Sequence, residues 1–207
     1  MTTAPLLHRL SGQLSARLYS IYLYALAQKN NPYGQALAMK RAQLLFLNHA
    51  RHVLPIVYRT RVKPVIPHAK PLSPQQLDKI VDLKTYMHFF KVILADSSTA
   101  DLEYIVFHEP NLKETTEEYW KSAMGLKRRI EMLGADFNYH IVNGALQAYG
   151  GNPEISGWLG IPGMTEHCEY CIAHIIGHYF RKGQFLPRLP AHRYCSCSWR
   201  LIRKDKT

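Results

Sequence analysis

Acidic side chains are missing from the first 77 of the 207 residues: that stretch holds ten Lys or Arg and neither Asp nor Glu. With no internal neutralisation, its field has to be answered by a polyanion, by an acidic partner or by the acidic middle of the same chain. Cysteine is almost as scarce, with four in the chain, all among the last forty residues. A disulfide-stapled secreted scaffold packs its cysteines into a much shorter chain. The N-terminus also lacks the charged head, apolar run and small-residue cleavage site that would suggest export. Long apolar runs are absent too. The longest early one, Ile21 to Ala27, falls well below the roughly 20 residues that a bilayer-crossing helix needs, so no membrane partner is expected. Nor is there a His-Glu-x2-His, a Gly-x4-Gly-Lys or a Gly-x-Ser-x-Gly, the patterns of a metalloprotease, a phosphate loop and a serine hydrolase.

What the chain does have is an ordered spacing of its few cysteines: Cys168-x2-Cys171, then 23 residues, then Cys195-x-Cys197, with His192 three positions ahead of Cys195. A four-coordinate zinc takes thiolate or imidazole ligands at tetrahedral corners, and a Cys-x2-Cys turn supplies two of them from one knuckle. The closing ligands are expected from His192, Cys195 and Cys197, because Pro187 and Pro190 bring the chain back in an extended turn. His174 and His178 follow Cys171 at helical spacing and form a rival set with Cys168 and Cys171; otherwise they are surface side chains. The expected cofactor is a structural Zn2+. A catalytic zinc keeps one position for water and usually has a carboxylate base nearby. The deaminase pairing of His-x-Glu with Pro-Cys-x2-Cys is not met by Glu166-His167-Cys168 or by Cys195-x-Cys197. The chain is therefore expected to be no enzyme and to take no small-molecule substrate.

Charge divides the chain into three parts. Residues 1–77 carry a net +10, residues 78–166 hold eight basic and thirteen acidic side chains, and residues 167–207 hold eight and two, for +11 overall. Within the basic part, residues 53–74 contain five prolines, at 55, 64, 67, 71 and 74, interleaved with Arg59, Arg61, Lys63 and Lys70. Proline density of this kind predicts an extended arm rather than helix interior. Its basic side chains would stay exposed for nucleic-acid phosphates or an acidic neighbour, or the segment is a plain interdomain linker.

At 47% apolar content the chain can bury a substantial core, and its dominant period is helical. Leu7, Leu10, Leu14, Leu18, Ile21 and Ala25 step by three or four and lay one apolar stripe on a helix. Asn30-Asn31-Pro32 stops it. A second helix is expected from Tyr33 to His52 through Leu37, Leu44, Leu45 and Leu47, making an antiparallel hairpin with Tyr19, Tyr22 and Tyr24 in the core or facing a partner. Ser73-Pro74 starts a helix that runs to Ala95. Ser97-Ser98-Thr99 caps a short element with Leu102, Ile105, Val106 and Phe107, and Thr115-x2-Glu118 is a capping box that opens the longest helix. Ile130, Leu133, Phe137, Ile141 and Leu146 continue its apolar face to Gly150-Gly151, while Gly125, Gly134 and Gly144 within it point to close helix packing. Short strands are expected around Tyr179–Phe180 and Ser198–Ile202.

A long helix ending in glycine, then Trp158, Cys168-x2-Cys171, Gly177 and the closing Pro190-x-His192-x2-Cys195-x-Cys197, resembles the C-terminal domain of the Mu-type phage head morphogenesis (minor head or minor capsid) family over residues 130–202. The resemblance implies a virion or procapsid component associated with the portal or major capsid protein, found in the virion and in host cytoplasm during assembly. It also implies a structural Cys/His cluster at the quoted positions. The basic half adds packaged DNA as a candidate partner; a basic, zinc-containing nucleic-acid-binding protein is the alternative from another class. The expected fold is mainly α with a small C-terminal zinc-stapled α+β unit and a helical N-terminal half. Its parts are a basic hairpin with a Pro-rich arm (1–71), a helical part with the long helix (72–150) and a metal-binding unit (151–207).

Overall fold

The leucine stripe becomes the buried face of the first helix, α1 (Thr3–Ala27): Leu7, Leu10, Leu14, Leu18 and Ala25 are buried and Ile21 is half-buried. Each fully buried leucine is worth about 1.5–3 kcal/mol, so the four outweigh by far any intrinsic propensity in holding the helix. The computed structural model describes residues 3–28, 30–95, 126–163, 169–187, 189 and 195–204. The chain is mainly α-helical, with a small strand unit toward its C-terminal end. No helix among the described residues is long and apolar enough to cross a membrane.

α2 (Pro32–Val57) starts where Asn31 accepts hydrogen bonds from the Tyr33 and Gly34 amides, with Pro32 in the first turn. The two helices form the expected hairpin, with Gln35 Nε2 donating to Ala25 O across its tip. The contact face of α2 is not the expected leucine face. Gly34, Ala38, Ala42, Phe46, Ala50 and Val53 are buried, whereas Leu44 is 49% exposed. Small residues at four-residue steps let the helix approach its neighbours closely, and among them the buried Phe46 ring lies 4.7 Å from that of Phe137.

The Pro-rich segment begins as helix, contrary to the extended arm expected from its composition. Pro55 lies inside α2, which runs into one π-helical turn (Tyr58–Val62), with Lys63 N donating to Tyr58 O at 2.8 Å. A proline in a helix interior costs about 3 kcal/mol. Val57, Val62 and Ile66 are fully buried, and at about 1.5–3 kcal/mol each they outweigh it. Ser73 and Gln76 form a capping box for α3 (Pro74–Ile80). The single helix expected to Ala95 is broken at Val81, whose backbone is extended; Asp82 Oδ1 then accepts from Thr85 N at 3.2 Å, and α4 (Leu83–Ala95) follows.

The element expected at 97–107, the capping box at Thr115 and Gly125 lie outside the described residues. α5 (Leu126–Tyr149) packs against α1, α2, α3 and α4 and ends at Gly150–Gly151 as expected. Its apolar face, Ile130, Leu133, Phe137, Ile141 and Leu146, is buried. Close packing is literal at Gly134, where an added Cβ would lie 2.3 Å from Ser15 Oγ, and at Gly144, where it would lie 2.7 Å from Ile80 Cγ2. Polar pins cross this core. Ser15 Oγ donates to Glu131 O, and Asn138 bonds both His49 Nε2 at 2.9 Å and Leu7 O at 3.2 Å, tying three helices together.

Beyond α5 the chain forms an antiparallel sheet in the order β2-β1-β3. β2 (Tyr179–Arg181) and β3 (Ser198–Arg203) match the expected strands; the central strand, β1 (Ile155–Ile161), carries no strand signal in the sequence. A Cβ at its Gly160 would fall 1.8 Å from Ile175 O, so the glycine that weakens the strand pattern is where another segment crosses. Trp158 Nε1 donates to Leu146 O, and Trp199 is fully buried with Phe180 edge-on at 5.3 Å. The buried apolar side chains make one continuous cluster from Leu7 in α1 to Leu201 in β3.

Candidate metal centre

The cysteines reach one place by two routes. Between β1 and β2, the short helix α6 (Glu169–His174) turns Cys171 inward, and its end is closed by Ile175 and Ile176 amides donating to Cys171 O at 3.0 and 2.8 Å. Gly177 follows at φ 79, a left-handed turn that glycine adopts without strain. Cys195 and Cys197 come from the extended run that enters β3. The Sγ atoms of Cys171, Cys195 and Cys197 all lie within 4.8 Å of one another, and all three residues are buried. Cys171 Sγ and Cys195 Sγ lie 3.7 Å apart. That is far beyond a disulfide bond of about 2.05 Å. It matches the edge of a tetrahedron drawn with metal–sulfur bonds of about 2.3 Å, roughly 3.8 Å. Three buried cysteines are therefore close enough to hold a metal ion.

Crowded sulfurs resist ionising without a cation. The hydrogen bonds that Cys171 makes with Cys195 and then with Cys197 hold it far above the ordinary thiol range, and burial adds to this. At Cys197 the bond with Cys171 pulls downward, but the bond with Cys195, burial and the neighbouring sulfur charge prevail and push it up to about 11; the Gly163 backbone N–H, donated to Cys197, opposes them. A bound metal reverses this balance by displacing the protons. Gly163 also packs closely against the second route: an added Cβ would lie 1.9 Å from Ser196 Oγ and 2.3 Å from Ser196 O.

The helical body grips the cluster from outside. Fully buried Asn143 on α5 donates Nδ2 to Cys197 O and accepts from Trp199 N with Oδ1, each at 3.2 Å. This side chain brackets the strand on both sides of Ser198. Arg61, on the π-helical turn, donates to Ser198 Oγ. Burial lowers the Arg61 pKa, opposed by Tyr139; burial raises that of Tyr139, with Arg61 opposing and Cys195 and Cys197 reinforcing. Neither Asn143 nor Tyr139 was legible as a site residue, though Asn138 and Asn143 stand out as amides in the otherwise apolar buried face of α5.

Of the ligands expected from sequence, Cys171, Cys195 and Cys197 come together, while Cys168 and His192 lie outside the described residues. His174 and His178 are exposed, and the His174 ring sits 4.8 Å from that of Tyr170. Of the basic residues expected to stay exposed, Arg59, Lys63 and Lys70 do so; Arg61 instead is half-buried against β3, turned inward by the π-helical turn. No protein-family model, curated protein or solved structure matches this chain.

Proposed function

We propose that this chain is a structural, non-catalytic assembly protein: a minor head or head-morphogenesis component of a tailed-phage-like particle, acting beside the portal or major capsid protein, with its C-terminal unit locked by zinc. The observation that supports it is the convergence of Cys171, Cys195 and Cys197, three of the positions that carry the family resemblance, into one buried cluster. Buried thiolates favour a soft or borderline cation over Mg2+ or Ca2+, and the sulfur spacing fits tetrahedral zinc. Cys168 or His192 would supply the fourth ligand. Bound there, zinc would supply charge neutralisation and a cross-link between α6 and the β3 approach; Asn143 and Arg61 pass that rigidity to α5 and the π-helical turn.

The assembly reading is tested by the genes beside this one. Portal, terminase and major capsid genes are expected; translation-factor or ribosomal genes would contradict it and favour the nucleic-acid-binding alternative. Co-expression with the adjacent portal and capsid proteins gives a direct check: the chain should co-sediment with procapsids, and its absence from purified particles would contradict the assignment.

A further inference from the structure

The basic charge of the N-terminal half has a shape. Eight of its ten Lys and Arg side chains are exposed, and the outward positions of the hairpin repeat at helical steps. On α1 they are Arg9 and Arg17, followed at the same spacing by the half-buried Tyr24; on α2 and the turn that continues it, Arg41, His52 and Arg59. The two stripes meet on one surface. The Arg41 guanidinium sits 4.7 Å over the Tyr24 ring, and Arg17 from α1 and His52 from α2 both lie close enough to His49 to depress its pKa. None of these arginines makes an ion pair among the described residues, as expected for a stretch with no acid in 77 residues.

We propose that this outer face of the α1–α2 hairpin binds the phosphate backbone of a nucleic acid without regard to base sequence. From Arg41 to Arg59 the stripe runs about 27 Å at 1.5 Å per residue, the length over which one strand of a duplex presents about eight phosphates. A ladder of that length fits a regularly charged polymer better than a compact acidic site. An acidic protein surface would draw its energy from buried aromatic or apolar anchors. Of the exposed large apolar side chains of the hairpin, Leu23 and Tyr33 lie toward its tip and Leu44 one turn from Arg41; along the helices none lies within a turn of Arg9, Arg17, His52 or Arg59. This assignment does not depend on the metal.

The test is fluorescence anisotropy of the full chain with a labelled 20-base-pair duplex of random sequence over a salt series. Binding should weaken steeply with salt. R9E/R17E/R59E should lose at least about tenfold in affinity and flatten the log–log salt slope by about 2.7, at about 0.9 per lost phosphate contact. R9Q/R17Q/R59Q should fall between that variant and the wild type. The proposal is overturned if the wild type shows no salt-dependent binding or if the triple variants bind as the wild type does. It is also overturned if an acidic portal or capsid protein is retained through these arginines while duplex is not.

Discussion

Replacing Asn143 with alanine should weaken the protein more than any exposed substitution, because its amide holds both sides of the strand that carries Cys197. Two hydrogen bonds of 3.2 Å are lost, to Cys197 O and from Trp199 N, at a fully buried position. Each bond contributes about 0.5–1.5 kcal/mol net, and stranding a buried carbonyl or amide costs about 1–3 kcal/mol. The expected loss is about 3–4 kcal/mol, and at about 2–4 °C per kcal/mol for a chain of this size the melting temperature should fall by about 6–16 °C. Asn143→Asp should be at least as damaging, since it sets a buried carboxylate oxygen against Cys197 O in place of a donor. The assay is thermal and urea unfolding of metal-loaded protein, with zinc loss to a chelator followed in parallel. Alanine should also accelerate that loss. A stability change below about 0.5 kcal/mol, within the range of neutral surface substitutions, together with unchanged zinc loss would refute the view that α5 holds the cluster in shape.

If His192 is a ligand, His192→Ala should lower zinc retention while His174→Ala and His178→Ala, at exposed positions, should not; the reverse pattern of metal content would move the site onto the Cys168–His178 segment. Gly163→Ala should release zinc and raise protease sensitivity in the C-terminal unit, because its Cβ would meet Ser196 O at 2.3 Å; wild-type metal content would show that the loop accommodates it. His49 is lowered from 6.5 to about 4 chiefly by burial, with the Asn138 hydrogen bond opposing and the His52 and Arg17 charges adding. The unfolded chain therefore binds the extra proton first. Stability present above pH 6.5 is lost as pH falls toward 4, by about 3 kcal/mol in total at 1.36 kcal/mol per pH unit. Unfolding of wild type and His49→Gln across that window checks this: the wild type should lose more stability, and parallel profiles would contradict it.

Where local chemistry decided the outcome, the sequence was readable. The α1 leucines, the α5 apolar face, the Ser73 capping box and the two short strands all appear as expected, because each is set by periodicity or by a cap. The departures share a cause: distant packing overrode the local preference. Leucines mark the wrong face of α2 because Gly34, Ala38 and Ala42 give the closer approach. Pro55 stays helical because Val57, Val62 and Ile66 are buried. β1 hides behind Gly157 and Gly160, which look like strand breakers until the crossing of Ile175 and Phe180 is seen. At the site, spacing identified the sulfurs, but it could not show that Arg61, some 137 residues from Ser198, turns inward to meet it.

The central claim, that Cys171, Cys195 and Cys197 form the core of a structural zinc site, is tested most directly by the metal content of purified protein. Chain prepared without chelator should carry about one zinc, and Cys171→Ser should lose most of it while its C-terminal unit becomes protease-sensitive, since ligand binding and local folding are coupled. Less than about a third of an equivalent in the wild type, or the same metal content in Cys171→Ser, would contradict the claim and leave the three thiols as buried packing alone.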